Sequence, residues 1–140
     1  MVNSIFEHSN TNIMVEFRIL GDDFNLDYIT EVLSIIPTEC WSKGDFVKNR
    51  NAIRKYTCWE VSSGYKESLD INTQLDEIIN IFYNKIDNLI TLKKKFDIEY
   101  FIEIVINVEN DIKPTMCLNR RSIEFAYLIG AEVDFDLYIF

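Results

Sequence analysis

Two places in this chain hold residue types and spacings that can do chemistry. The first is Trp41-Ser-Lys-Gly-Asp45, followed by Arg50, Arg54 and Lys55 and then by Trp59. A tryptophan beside cations makes an aromatic-cationic pocket suited to an anion or an acidic peptide. Loops also carry binding residues disproportionately. Trp41, Lys43, Gly44, Asp45, Arg50, Arg54 and Trp59 are therefore the candidate binding residues. The alternative is that Trp41 buries its ring against a sheet beside Trp59, while Gly44 and Asp45 serve only a turn. The second place is Asp134 and Asp136, two apart on an expected strand, so that both side chains emerge on one face. Such a pair acts as acid and base or holds a divalent cation. The plain alternative is the wet side of an edge strand, where charge discourages aggregation.

Other constellations are missing. His8 is the sole histidine and lies in an irregular N-terminal stretch, which removes His-based metal sites and Ser-His-Asp or Cys-His nucleophiles. Cys40, Cys58 and Cys117 are odd in number and widely spaced, so they fit reduced thiols better than a disulfide framework or a metal knuckle. The 4 glycines are isolated, so no phosphate-cradling loop is present. No catalytic residue, metal or cofactor is expected, and an enzyme is disfavoured.

The elements that must position the candidates follow from periodicity. Ile13, Val15, Phe17 and Ile19 alternate with Glu16 and Arg18 from Asn12 to Leu20, a half-buried strand. Asn25 suits an N-cap, with Phe24 and Ile29 as a hydrophobic staple around it. Pro37 bars the continuation of that helix, and a short extended piece follows around Glu39-Cys40-Trp41. Tyr56 to Val61 is a strand by its β-branched and aromatic content. Apolar residues at three- and four-residue steps predict one helix from Asn72 to Lys94, and a strand follows from Glu99 to Val108. Asn119 caps a further helix, Leu118 and Ile123 occupy staple positions, and Gly130 suits its left-handed end. Glu132 to Phe140 alternates as a last strand with one wet face. The order β-α-β-β-α-β-α-β predicts an α+β fold: a mostly antiparallel sheet with helices on one face, a ferredoxin-like βαββαβ core plus a C-terminal αβ extension.

Composition sets further bounds. At 140 residues, one domain is expected over 12–140 behind a loose arm at 1–11. Apolar residues make up 48% of the chain, ample for a packed interior. A net charge of −9 offers no cationic surplus to nucleic acid or to an anionic membrane, and steers a basic protein partner toward the surface. With no secretory signal and no apolar run long enough to span a bilayer, a cytoplasmic protein is expected.

These landmarks form a family pattern. Phe17-x-Ile19-x-Gly21-Asp22-Asp23-Phe24, Ile29-Thr30, Leu33, Pro37-Thr38-x-x-Trp41-x-Lys43-Gly44-Asp45, Trp59-Glu60-Val61-Ser62, Leu128-Ile129-Gly130-Ala131 and Asp136-Leu137-Tyr138 resemble the bacterial domain of unknown function 4279. The likeness runs from Val15 onward, with Cys58 standing where many members have glycine. The resemblance implies no settled activity. Small families of this kind often accompany toxin loci, which implies a non-catalytic binding module of the immunity type that neutralises a basic toxin or effector. The other reading is a small-ligand binder or small enzyme using the Trp41–Asp45 loop or the Asp134/Asp136 face.

Overall fold

The computed structural model describes residues 10–140. Apart from Asn10 and Thr11, the expected arm lies outside the described residues. Thr11 itself is buried; its hydroxyl donates to the Ile112 carbonyl and accepts from the Glu109 N–H at 3.1 Å.

Strand β1 (Asn12–Gly21) alternates as its sequence requires: Ile13, Val15, Phe17 and Ile19 are fully buried, while Glu16 and Arg18 are half-buried on the other face. Gly21 closes it, since a Cβ there would sit 2.9 Å from both the Asp97 carbonyl oxygen and the Phe24 ring. In helix α1 (Leu26–Leu33), Asn25 accepts a hydrogen bond from the Tyr28 N–H at 3.0 Å, and Phe24 and Ile29 are both buried. The helix stops before Pro37. Ser34 adopts a left-handed φ of 55° and donates its N–H to the Thr30 carbonyl at 2.8 Å, so the proline follows the stop and does not cause it.

Strands β2 (Glu39–Trp41), β3 (Thr57–Ser62) and the two-residue β4 (Lys66–Glu67) come next. The helix expected over 72–94 is two, α2 (Ile71–Phe82) and α3 (Ile86–Lys95), joined by a 3₁₀ turn at Tyr83–Lys85. Ile81, Tyr83 and Asn84 are exposed there, so no core contact resists the tightening. Strand β5 (Ile98–Val108), helix α4 (Arg120–Ile129) and strand β6 (Ala131–Ile139) complete the order. Asn119 caps α4 by accepting from the Ser122 N–H at 2.8 Å, and Gly130 ends it at φ 68°. Ile123, expected to staple onto Leu118, is instead 54% exposed.

The sheet runs β2-β3-β1-β5-β6, with β4 paired to the start of β1. All neighbours are antiparallel except β5 and β6. β1 and β2, linked through α1, are separated by β3. All four helices contribute to one buried cluster with Phe17, Trp59, Tyr100 and Ile104, so the helical layer covers a single face of this α+β sheet. Phe17 stacks against Phe82 at 4.3 Å between ring centroids, and Tyr100 donates its hydroxyl to the Leu89 carbonyl at 2.7 Å. Cover is uneven at β6. Val133 packs on the core, but Phe135, Leu137 and Ile139 on the same face are about half exposed. No helix among the described residues is long and apolar enough to cross a membrane.

Candidate functional site

The face of the sheet away from the helices is where polar side chains meet. Register places Glu16 opposite Glu103 and Glu103 opposite Asp134, a row of carboxylates across β1, β5 and β6. In the next row Arg18 lies between Glu60 and Phe101. Like charges directly opposite are destabilising, and two features relieve them. Arg18 Nε meets Glu60 Oε1 at 3.3 Å and its Nη1 meets Glu103 Oε1 at 3.0 Å. Glu16 keeps its proton near neutrality: burial, aided by a hydrogen bond to Glu60 and the charge of that residue, pushes it up to about 8. Cys58, fully buried between Arg18 and Glu60, has its thiol pushed up to about 12 by burial. Asp134 and Asp136 share this open face as their spacing predicts, are exposed, and have no ion-pair partner among the described residues.

Trp41 stands at the rim of this face. The Arg54 guanidinium lies 3.8 Å from the ring centroid, Arg18 lies at 5.9 Å, and the Tyr56 ring is 6.4 Å away. The indole Nε1 is buried and has no hydrogen-bond partner among the described residues. A tight turn follows: the Asp45 N–H donates to the Ser42 carbonyl at 3.0 Å, the Asp45 carboxylate accepts from the Ser42 N–H at 2.9 Å, and Gly44 takes φ 94°. Lys43 reaches across to Asp22 at 2.6 Å. Residues 44–54 then form a hairpin-like arm, held by Gly44 N–H to Arg54 carbonyl and Val47 N–H to Ala52 carbonyl bonds, both 2.9 Å. Phe46 and Ile53 bridge it yet are 82% and 55% exposed.

Of the candidate residues, the fold brings Trp41 and Arg54 into contact, with Lys43, Gly44 and Asp45 in the adjoining turn. Arg50 sits at the far end of the arm, where its N–H closes a turn onto the Val47 carbonyl. Trp59 is elsewhere: it is fully buried in the core, and its Nε1 donates to Thr30 Oγ1 at 3.0 Å. The expectation that Trp41 buries beside Trp59 is therefore corrected. Trp41 pairs with Cys58 and Cys40 with Trp59, which sends the two indoles to opposite faces. Sequence reasoning passed over Glu16, Arg18, Glu60 and Glu103; the available signal was charge at the middle of strands that hold a sheet's centre.

A family model described as a domain of unknown function (DUF4279) matches residues 10–140. The chain belongs to this family. The motif resemblance is thus shown over essentially the whole fold, including the Trp41 turn and the β6 strand. No curated protein and no solved structure matches the chain. Since the DUF4279 description carries no activity, the geometry of the open face must supply the functional reading.

Proposed function

We propose that this chain is a non-catalytic, cytoplasmic bacterial protein-binding module whose open sheet face docks a basic partner. The observation that carries this is the pair of exposed carboxylates, Asp134 and Asp136, which have no ion-pair partner among the described residues, whereas Arg18 offsets Glu60 and Glu103 and Glu16 keeps its proton. Exposed, uncompensated negative charge speeds encounter with a cationic surface and selects for it. Neutralisation of a basic toxin or effector, the immunity form of this reading, is the role such docking would serve. Affinity capture from the native host at low salt tests it. A basic protein should be retained reproducibly, released by salt, and lost with Asp134→Lys/Asp136→Lys; an empty low-salt eluate sinks the proposal.

A second reading rests on the orphaned Trp41 Nε1 beneath the Arg54 guanidinium. There a small ligand with an anionic group would meet the Arg54 cation held against the indole, and the enclosed Nε1 would become available as a donor only if the Arg54 side chain moved aside. Titration with carboxylate and phosphate compounds, followed by tryptophan emission, tests this. Emission that is identical in the wild type and Arg54→Ala at every concentration removes it.

A further inference from the structure

We infer that the chain forms a twofold dimer by pairing β6 antiparallel with β6 of a second copy, with Leu137 on the axis. The two edges of the sheet differ in kind. β2 is three residues long, a short edge of the sort that resists pairing. β6 keeps nine consecutive residues in register with β5 and contains no bulge, proline or lysine; its edge protection is limited to the carboxylates of Glu132, Asp134 and Asp136, which disfavour only the registers that oppose them. The helical layer covers only its beginning, leaving Phe135, Leu137 and Ile139 at 45%, 49% and 61% exposed.

The alternation of β6 chooses a second copy and fixes the register. Only registers that pair odd-numbered residues with odd-numbered ones keep apolar side chains on one face. An axis at Phe135 sets Asp134 opposite Asp136, and an axis at Asp136 sets that carboxylate against itself. Moving the axis to Leu137 sets Phe135 opposite Ile139 and Asp136 opposite Tyr138, and no acidic side chain opposes another. An axis at Tyr138 pairs fewer residues. Aliphatic and aromatic pairs on one side and carboxylate–phenol pairs on the other make β6 complementary to itself. Phe135, Leu137, Tyr138, Ile139 and Phe140 are 45–72% exposed. At the scale of such side chains they offer roughly 400 Å² per copy, about 800 Å² for the pair, which is less than a permanent dimer needs and fits a weak, reversible association. The axis is perpendicular to the sheet, so both open faces lie on the same side of a sheet continuous across the two copies.

This inference does not rest on the preceding proposal, and salt separates them. Each copy carries −9, so screening strengthens self-association while it weakens capture of a basic partner. Sedimentation of the full chain should give a monomer–dimer equilibrium whose Kd falls about tenfold between ~20 mM and ~500 mM salt. Leu137→Lys, a substitution at a half-exposed site, should raise that Kd more than tenfold, with a melting curve equal to the wild type's at concentrations where both are monomeric. In a Cys40→Ser/Cys117→Ser background, Leu137→Cys should oxidise to a cross-linked dimer, because opposed residues in an antiparallel pair lie within disulfide reach. Phe135→Cys should not. A chain that sediments as a monomer at every salt concentration, Leu137→Lys dimerising like the wild type, or cross-linking through position 135 in place of 137 would each overturn the inference.

Discussion

Trp41 and Trp59 occupy neighbouring strands yet face opposite sides of the sheet, because Trp59 pairs with Cys40 and Trp41 with Cys58. One indole is core and the other is rim. Trp59→Ala should cost ~3–5 kcal/mol, the range for deleting a fully buried aromatic side chain. Trp41→Ala, which loses a cation–π contact and partial burial, should cost only about 1 kcal/mol. Urea midpoints of the two variants check this; equal losses would show that the rim ring carries core packing.

Glu16 makes stability fall with rising pH. Its folded-state value of about 8 lies above the ordinary 4.5, so between those limits the native state holds a proton that the unfolded chain has released. The contribution is complete below the lower value and lost as pH climbs through the upper one. Between about pH 6 and pH 8 the loss should be roughly 1–2 kcal/mol, allowing for partial solvent access. Glu16→Gln, neutral throughout, should flatten that slope and exceed the wild type at pH 8. A wild-type urea midpoint constant over this interval would refute the assignment.

Arg18 neutralises Glu60 and Glu103, with side-chain exposures of 16%, 7% and 20%. Removing one member of a largely buried ion cluster leaves uncompensated charge, so Arg18→Met should destabilise by about 3 kcal/mol at neutral pH. The triple variant Arg18→Met/Glu60→Gln/Glu103→Gln should recover most of that loss. Thermal unfolding of both variants decides the matter, and a triple variant no more stable than the single one would contradict it.

Gly21→Ala introduces a methyl 2.9 Å from a backbone oxygen that cannot move aside. The expected cost is about 2 kcal/mol. At Gly44 a methyl meets nothing within 4 Å, but φ 94° penalises any side chain, so Gly44→Ala should cost about 1 kcal/mol. Calorimetric melting of the pair separates a steric penalty from a conformational one.

Much of this fold was legible because its determinants are local. Asn25, Asn119 and Gly130 declare helix ends through hydrogen bonds made within a few residues. The alternation in β1 and β6 declares sidedness within each strand. What escaped depends on contacts distant in sequence. Three residues of β2 are too few for a period of two to show which way Trp41 faces; pairing with β3 decides it. Glu16, Glu60 and Glu103 come from three separate strands and meet only through register. The break at Tyr83–Lys85 carries no proline or glycine and leaves the apolar spacing intact. The alternation of β6 marks its wet face, but it cannot show that the opposite face also stays half exposed. The short reach of α4 over the strand leaves that second face open.

Cys58 has a practical corollary. Cys40 and Cys117 are exposed, whereas Cys58 is wholly enclosed and its thiol is pushed up to about 12 by burial. An alkylating reagent will therefore modify the two outer sulfurs first, Cys40 slowed by the burial and nearby carboxylates that push its thiol up, and reach the inner one only when β1 and β3 separate. The slow phase of that labelling is an intrinsic stopwatch for opening at the middle of the sheet.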